Sequence, residues 1–229
     1  IGIIMKKILT LTASFILVAS SVFAGSMNIG VSVTNASLSA SGTETVNSAG
    51  SGGGGAAQAI AEKDGSATLA SIFVERQFET QKDGLSISLG LDFVPMTGEI
   101  AKLGGGDGTD ATVEAGKLLT LYVQPTFLIN DKVSLYAKAG YAQGDLDISN
   151  VTRQATTAGT ASTDTDQSKD LKGTVLGFGA QIAMNNDMFI RFDAARTDFD
   201  TINHTNSNSK KLTADAEMDR LSLVIGKSF

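Results

Sequence analysis

Apolar and polar side chains alternate along much of this chain. The pattern is cleanest in Gly84–Val94, where every second residue is Leu, Ile or Phe and the residues between them are Ser, Gly or Asp. A period of two residues is typical of a β-strand whose two faces lie in different surroundings. The same alternation predicts eight strands, over Met27–Leu38, Ala67–Phe78, Gly84–Val94, Lys117–Ile129, Lys132–Gly144, Leu171–Met184, Met188–Asp200 and Glu217–Phe229.

The links between these strands alternate strictly in length. Three short links cover Glu79–Asp83, Asn130–Asp131 and Asn185–Asp187. Four long links cover Ser39–Ser66, Pro95–Gly116, Asp145–Asp170 and Thr201–Ala216. The long links are rich in Gly, Ser, Thr and Asp, so they can bury little apolar surface and we expect mobile loops. Short turns at one end and long loops at the other predict an all-β fold, an eight-stranded antiparallel up-and-down barrel.

The N-terminal residues have the order of a secretory signal peptide. Two lysines follow Met5, an apolar run extends to Val18, and small residues lead up to Ala24. The apolar run is about half of the roughly 20 residues that a membrane-spanning helix needs. We therefore expect translation to start at Met5 and cleavage to follow Ala24. The predicted signal peptide covers 1–24 and the exported barrel domain covers 25–229.

The C-terminal strand ends on an aromatic residue. Apolar side chains occupy alternate positions of Arg220–Phe229, interrupted by Lys227. The segment resembles the C-terminal strand of bacterial outer-membrane β-barrel proteins, in which a terminal Phe follows apolar residues at every second position. The resemblance implies a location in the bacterial outer membrane. It also implies an assembly signal, recognised by the barrel assembly machinery, in Leu221, Leu223, Ile225 and Phe229.

The polar faces of the strands suit the inside of a narrow barrel. Charged residues are 18% of the chain, compared with about 25% in ordinary soluble domains. The polar faces carry mainly Ser, Thr, Gly and Gln, and an eight-stranded barrel has an interior only just filled by side chains. Arg76 and Arg196 phase to the opposite, apolar face. Three acidic and three basic residues can be phased to the polar face, and we predict that they form a charge network in the lumen: Glu75, Asp92, Lys138, Arg191, Asp193 and Arg220.

Aromatic residues cluster near the predicted strand ends. Two aromatic girdles are typical of a membrane barrel, although strands of any protein favour aromatic residues. The predicted girdles contain Phe78, Phe127, Phe189 and Phe229 at the short-turn end and Phe93, Tyr141 and Phe199 at the other end.

Signals for catalysis, metal binding and nucleic-acid binding are weak. The single histidine, His204, belongs to no recognisable catalytic arrangement, so we expect no enzyme activity. Asp107–Asp110 and Asp164–Asp166 lack the ligand spacing of a calcium loop, so we predict no metal and no cofactor. The formal charge of −6 becomes −8 without Lys6 and Lys7. This negative charge argues against a nucleic-acid partner.

The whole mature chain is similar in pattern to the OmpA/OmpX-like and opacity-type outer-membrane proteins, sometimes labelled porin family. This resemblance implies a structural or surface-interaction role in a Gram-negative bacterium. Four long acidic loops would contact lipopolysaccharide and outer-membrane lipid, a surface ligand or phage, while the charge network plugs the lumen. The alternative is transport, as a small porin or an OmpW-like channel for small or apolar solutes. A soluble secreted barrel is a third hypothesis.

Overall fold

The computed structural model of the protein describes residues 25–46, 57–104, 109–153, 162–163, 167–205 and 210–229. The predicted signal peptide and the central parts of the four predicted loops lie outside these residues. No helix among the described residues is long and apolar enough to cross a membrane. The strands are β1 (Met27–Val46), β2 (Ala57–Glu79), β3 (Leu85–Gly104), β4 (Thr109–Leu128), β5 (Val133–Arg153), β6 (Ser162–Thr163), β7 (Gln167–Ala183), β8 (Met188–Phe199), β9 (Ile202–Thr205) and β10 (Lys210–Ser228).

Eight long strands close into an antiparallel barrel. They pair in the order β1-β2-β3-β4-β5-β7-β8-β10, and β10 pairs back to β1. The closing ladder runs from Asn28↔Ser228 to Val46↔Lys210. The short strand β9 continues the line of β8 against β10, and β6 adds two residues beside β5. The predicted eight-stranded barrel is therefore confirmed.

The two ends of the barrel differ in how the strands are joined. One end, here called the short-turn end, has tight connections at 80–84, 129–132 and 184–187. The side chain of Asn130 caps one of these turns by accepting hydrogen bonds from two backbone N–H groups, each 3.0 Å long. Gly84 provides a positive φ of 75° in another, a conformation that glycine adopts without strain. At the opposite end, here called the hairpin end, the strands continue well beyond their predicted limits.

The extra strand length at the hairpin end corrects the prediction of long mobile loops. Strand β1 extends to Val46 instead of Leu38, and β2 begins at Ala57 instead of Ala67. The other predicted loops are likewise largely strand among the described residues. Cross-strand pairing satisfies the backbone N–H and C=O groups of these Ser- and Gly-rich segments. That gain outweighs their low strand propensity.

The apolar faces of the strands point outward. On β1, Val31 and Val33 are exposed, whereas Ser32 and Thr34 are buried inside the barrel. This arrangement is that of a membrane barrel and contradicts the hypothesis of a soluble barrel, which would turn its apolar face inward. The same alternation produces an apolar band on the outer surface that includes Ile29, Ile72, Leu121, Val123, Leu135, Leu176, Phe178, Phe192, Leu221, Leu223 and Ile225.

Two of the predicted girdle residues lie inside the barrel. Phe189 and Phe199 are 2% and 8% exposed, because they share the phase of Arg191 on β8 and this phase points inward. Phe93 and Tyr141 lie on the outer surface near the hairpin end, as predicted. The prediction for Phe189 and Phe199 was wrong because it used their distance from the strand ends and ignored the face on which they stand.

The interior is polar only in the half next to the short-turn end. Towards the hairpin end it is filled by an apolar core, which corrects the expectation of a polar interior throughout. Most of the side chains in this core are hydrocarbon, so they pack against one another as in the interior of a soluble protein. Its members are Ala36, Leu38, Val94, Leu118, Ala142, Leu171, Val175, Ala195, Phe199 and Met218, with Leu69 and Leu146 packed against it.

Phe229 lies where the closing ladder ends. Its backbone exchanges two hydrogen bonds with Met27, of 3.0 and 2.8 Å, and its ring is 70% exposed on the outer surface. The ammonium group of Lys227 lies 5.3 Å from the centroid of this ring. An aromatic ring suits a membrane interface, and a lysine there can extend its ammonium group towards water.

We expect Phe229→Ala to reduce the yield of folded barrel more strongly than Lys227→Ala. The aromatic variant loses both the interfacial ring and the implied assembly signal, whereas the lysine variant removes a charge that costs only about 0 to 1 kcal/mol near the interface. The measurement is the fraction of heat-modifiable protein in the outer-membrane fraction, at matched expression. Equal yields from the two variants would contradict the assignment of an assembly role to Phe229.

Candidate functional site

All six residues of the predicted charge network have inward-pointing positions on the strands. Glu75 lies on β2, Asp92 on β3, Lys138 on β5, Arg191 and Asp193 on β8, and Arg220 on β10. Five of them line one cavity in the middle of the barrel, and Glu75 is bonded to Arg191 beside it. The strands therefore bring together residues that are widely separated along the chain.

Glu75 and Arg191 form a buried ion pair. The two residues are 1% and 3% exposed. Arg191 Nη1 donates to Glu75 Oε2 at 3.0 Å, and Nη2 donates to Oε1. The amide of Asn28 donates to Oε1 at 2.8 Å, and the hydroxyl of Tyr122 donates to Oε2 at 2.9 Å. Four donors satisfy the carboxylate, which is the condition under which a buried charge is tolerated.

The guanidinium of Arg191 is held by further contacts. Its Nε donates to Gln181 Oε1 at 2.6 Å. Its central carbon lies 4.5 Å from the ring centroid of Phe189 and 5.4 Å from that of Phe73. A planar guanidinium can bind a carboxylate with two nitrogens and pack against aromatic rings, whereas a lysine ammonium cannot do both. These contacts fix the side chain across the lumen.

A second ion pair lies above the first. Lys138 Nζ donates to Asp193 Oδ2 at 2.6 Å, and the hydroxyl of Tyr136 donates to the same oxygen at 3.0 Å. The ammonium group also lies 4.8 Å from the ring centroid of Tyr122. Because the Tyr122 hydroxyl donates to Glu75, this tyrosine connects the two ion pairs. The four charges form one connected polar layer.

Asp92 and Arg220 are not paired in this way. Asp92 Oδ2 accepts a hydrogen bond of 2.7 Å from Ser71, whose oxygen lies 2.7 Å from that of Ser32. The buried Nε of Arg220 has no hydrogen-bond partner among the described residues. Asp92 and Arg220 both line the central cavity.

The polar layer also contains neutral residues that sequence reasoning did not single out. They are Asn28, Tyr122, Tyr136 and Gln181. All four share the inward phase of their strands, so the period-two pattern contained a signal for their position. Which residues they contact depends on the register between strands, and the pattern of a single strand does not contain that information.

The central cavity is small. Its volume is about 40 Å³, and one water molecule needs at least about 10–15 Å³ of such space. The cavity therefore has a volume sufficient for a few water molecules, next to the charged groups that line it. It is bounded on the hairpin side by Leu69, Val94 and Leu118 of the apolar core.

Arg196 lies on the outer surface, as its phase predicts. Its Nε and Nη2 each donate to Asp219 at 2.7 Å, and Nη1 lies 3.5 Å from Glu217. These exposed charges stand just above Leu221 and Ala194, so they mark the upper limit of the apolar band on β8 and β10.

Some of the residues considered for catalysis and metal binding lie outside the described residues, and the others form no catalytic or metal site among the described residues. His204 lies on β9 opposite Leu212. Asp107 and Asp164–Asp166 lie outside the described residues. Within the described part of the chain, no group of three or more His, Asp or Glu side chains is arranged to hold a metal ion.

Comparisons with known proteins agree with the fold. Among curated protein sequences, none matches the chain. The structure of the outer membrane protein OprG from Pseudomonas aeruginosa is 14% identical, covers 90% of this chain and 97% of its own, and superposes with a TM-score of 0.56. The Ail protein of Yersinia pestis is 14% identical over 90% of this chain and all of its own, with a TM-score of 0.44. Neisserial surface protein A is 12% identical, covers 86% of this chain and 97% of its own, and superposes with a TM-score of 0.42.

The family described as the outer membrane protein beta-barrel domain matches residues 8–217, most of the chain. With the closed eight-stranded barrel and its outward apolar band, this match places the protein in the outer membrane of Gram-negative bacteria. The chain belongs to the outer membrane protein beta-barrel domain family.

Proposed function

We propose that the protein has a structural or surface-interaction role and that its lumen is closed. The observation that carries the proposal is the buried Glu75–Arg191 pair, which crosses the lumen with all four carboxylate contacts satisfied. A charge pair held this firmly in a low-dielectric interior does not rearrange without a large desolvation cost. The chemistry of the lumen therefore favours a plug over an open pore.

A second barrier lies in series with the ion pairs. Above the cavity, Leu118, Phe199 and Met218 belong to a packed apolar core that offers no hydrogen bonds to a hydrated ion. An ion on this path would lose its water without receiving replacement ligands. The polar layer and the apolar core together support a closed barrel.

The strands provide a surface for interaction outside the apolar band. Above that band the outer faces of the long hairpins become polar and charged, as with Lys117 and Asp145, which lie 3.6 Å apart. Paired strands present such groups at fixed positions, unlike the mobile loops expected from the sequence. Lipopolysaccharide, a surface ligand or phage are the proposed partners at this end, and the barrel assembly machinery is the proposed partner of the C-terminal strand.

The apolar core favours one alternative, an OmpW-like channel for small apolar solutes. Residues such as Val94 and Leu171 would offer an apolar solute an interior of matching polarity. The alternative requires this core to open. It predicts that liposomes containing the protein take up a small apolar dye faster than empty liposomes, and that Leu118→Lys abolishes the difference.

We expect no stable, well-defined conductance from the purified protein in a planar bilayer. Both the ion pairs and the apolar core exclude hydrated ions from the lumen. Single-channel recording checks this, with a general porin prepared in the same detergent as the positive control. Reproducible conductance steps from the wild-type protein would contradict the proposed plug.

We expect Glu75→Gln or Arg191→Met to destabilise the barrel by about 3–5 kcal/mol, because each leaves the other charge buried without its partner. The double variant should recover a substantial part of this loss, since it removes both charges. The measurement is urea unfolding in lipid vesicles, followed by far-ultraviolet circular dichroism because the chain has no tryptophan.

The matched control is the exposed pair on the outer surface, Arg196 and Asp219. Solvent screens such a pair, so Arg196→Met should change the free energy of unfolding far less than Arg191→Met. Similar effects from the two arginine variants would show that the buried pair has no special role in holding the lumen together.

A further inference from the structure

Two basic residues lie on the lipid-facing side of the barrel near the short-turn end. They are Arg76 on β2 and Lys227 on β10. Across the apolar band and the outward strand positions between it and the short turns, they are the only charged residues that the structure describes. Lys227 is one residue and Arg76 three residues from the end of its strand. The charge on this part of the outer surface is therefore entirely positive.

The two residues belong to one patch on neighbouring strands. Phe229 exchanges backbone hydrogen bonds with Met27 of β1, and Met27 is paired with Arg76. One step towards the hairpin end, Lys227 is paired with Ile29 of β1. Only β1 separates the two basic residues, so their Cα atoms are about 10 Å apart across the strands and about 7 Å along them. Two long side chains can converge over such a distance.

The surface around the two cations is apolar. The ring of Phe229 is 70% exposed, and its centroid lies 5.3 Å from the ammonium group of Lys227. The outward positions that neighbour the two basic residues across the strands are Met27, Ile29, Leu89 and Met188. This surface suits contact with acyl chains.

The other lipid-facing arginine has a different environment. Arg196 lies at the opposite limit of the apolar band, where the chain itself supplies the carboxylates of Asp219 and Glu217. The outward neighbours of Arg76 and Lys227 are hydrocarbon and thioether side chains. The patch near the short turns therefore presents two positive charges to the membrane without adjacent acidic side chains on its cross-strand neighbours.

The depth of the patch indicates which part of a lipid meets it. In outer-membrane barrels the short turns face the periplasm, so the patch lies in the periplasmic leaflet, which consists of phospholipids. A basic residue on the lipid face is tolerated where its charged group can extend to the membrane interface. Both residues are close enough to their strand ends for their charged groups to reach the level of the lipid phosphates.

A phosphodiester is the acceptor that fits both side chains. A guanidinium can donate two parallel N–H bonds to phosphate oxygens, and an ammonium group binds phosphate as a point charge. Two cations attract a phosphate but repel the ammonium group of a zwitterionic lipid. A headgroup of net negative charge is therefore favoured.

We propose that Arg76 and Lys227 form a binding site for the headgroup of an anionic phospholipid of the periplasmic leaflet, of the phosphatidylglycerol class. Its acyl chains would lie over Met27, Ile29 and Phe229, along the seam where β1 and β10 close the barrel. The site goes beyond the proposed surface-interaction role, because it lies at the other end of the barrel and does not require a closed lumen.

The test uses tryptophan fluorescence, because the chain has no native tryptophan and a single introduced one reports the lipids in contact with it. Met27→Trp places the reporter between the two cations. Phe127→Trp places it at the same end of the barrel on β4, where its paired neighbours are Leu85 and Leu135. The full barrel is reconstituted in phosphatidylcholine vesicles with increasing fractions of phosphatidylglycerol whose brominated acyl chains quench the reporter.

We expect phosphatidylglycerol to be enriched over phosphatidylcholine at least about fivefold at the Met27→Trp reporter and less than about twofold at the Phe127→Trp reporter. Each basic residue near an anionic headgroup contributes a factor of about five. Brominated phosphatidylethanolamine should show no comparable enrichment. In the Met27→Trp background, Arg76→Gln and Lys227→Gln should each lower the enrichment of phosphatidylglycerol by about threefold or more.

The matched control is Lys132→Gln, which removes the same charge at the same end of the barrel, but from a short turn. It should leave the enrichment at Met27→Trp unchanged. A heat-modifiable band verifies that each variant forms a closed barrel before its lipid preference is measured.

Equal enrichment at the two reporters would overturn the inference, since it would indicate a general attraction to this end of the barrel. Enrichment that Arg76→Gln and Lys227→Gln leave unchanged, or equal enrichment of phosphatidylethanolamine, would also contradict it. Failure of the proposed closed lumen appears separately, as conductance, and does not depend on the lipid headgroup.

Discussion

The rest of the structure depends on the pairing of backbone N–H and C=O groups around the whole circumference of the apolar band. A membrane offers no water to satisfy them, so the sheet must close on itself. Closure is achieved by the β1–β10 ladder, whose last members, Met27 and Phe229, exchange two backbone hydrogen bonds. Closure at eight strands then fixes a narrow lumen, and the lumen determines which side chains meet inside it.

Within that lumen, the charged side chains need sufficient space as well as partners of opposite charge. Eight inward-facing strands converge on a space that large side chains fill, and glycine appears where they would collide. A Cβ atom at Gly90 would lie 2.3 Å from the ring of Tyr122, and one at Gly226 would lie 2.3 Å from the ring of Phe189. These glycines make room for the two aromatic rings that position Glu75 and Arg191. The ion pair is thus held by the shape of the interior as much as by charge.

The sequence predicted which face of each strand points inward, but it did not predict how long the strands are or which side chains contact one another. Period-two alternation placed Glu75 and Arg191 on the inward face, because that inference needs only the phase of one strand. Their contact joins residues 116 positions apart and depends on the register of several strands, which no local pattern contains. The alternation pattern also did not predict that β1 extends beyond Leu38, because the weak strand formers there are stabilised by a neighbouring strand on each side.

The β2–β3 ladder is continuous inside the apolar band and stops outside it, and the cost of unpaired backbone groups in lipid explains both observations. Below Ile72, an unpaired strand edge would expose backbone groups to lipid, and the β2–β3 ladder is continuous there. Above it, water can satisfy those groups, so a proline at the next hydrogen-bonding position is tolerated. Pro95 lies at the first position where the ladder can be interrupted outside the apolar band. The interruption of the β2–β3 ladder is therefore placed where an unpaired backbone group costs least.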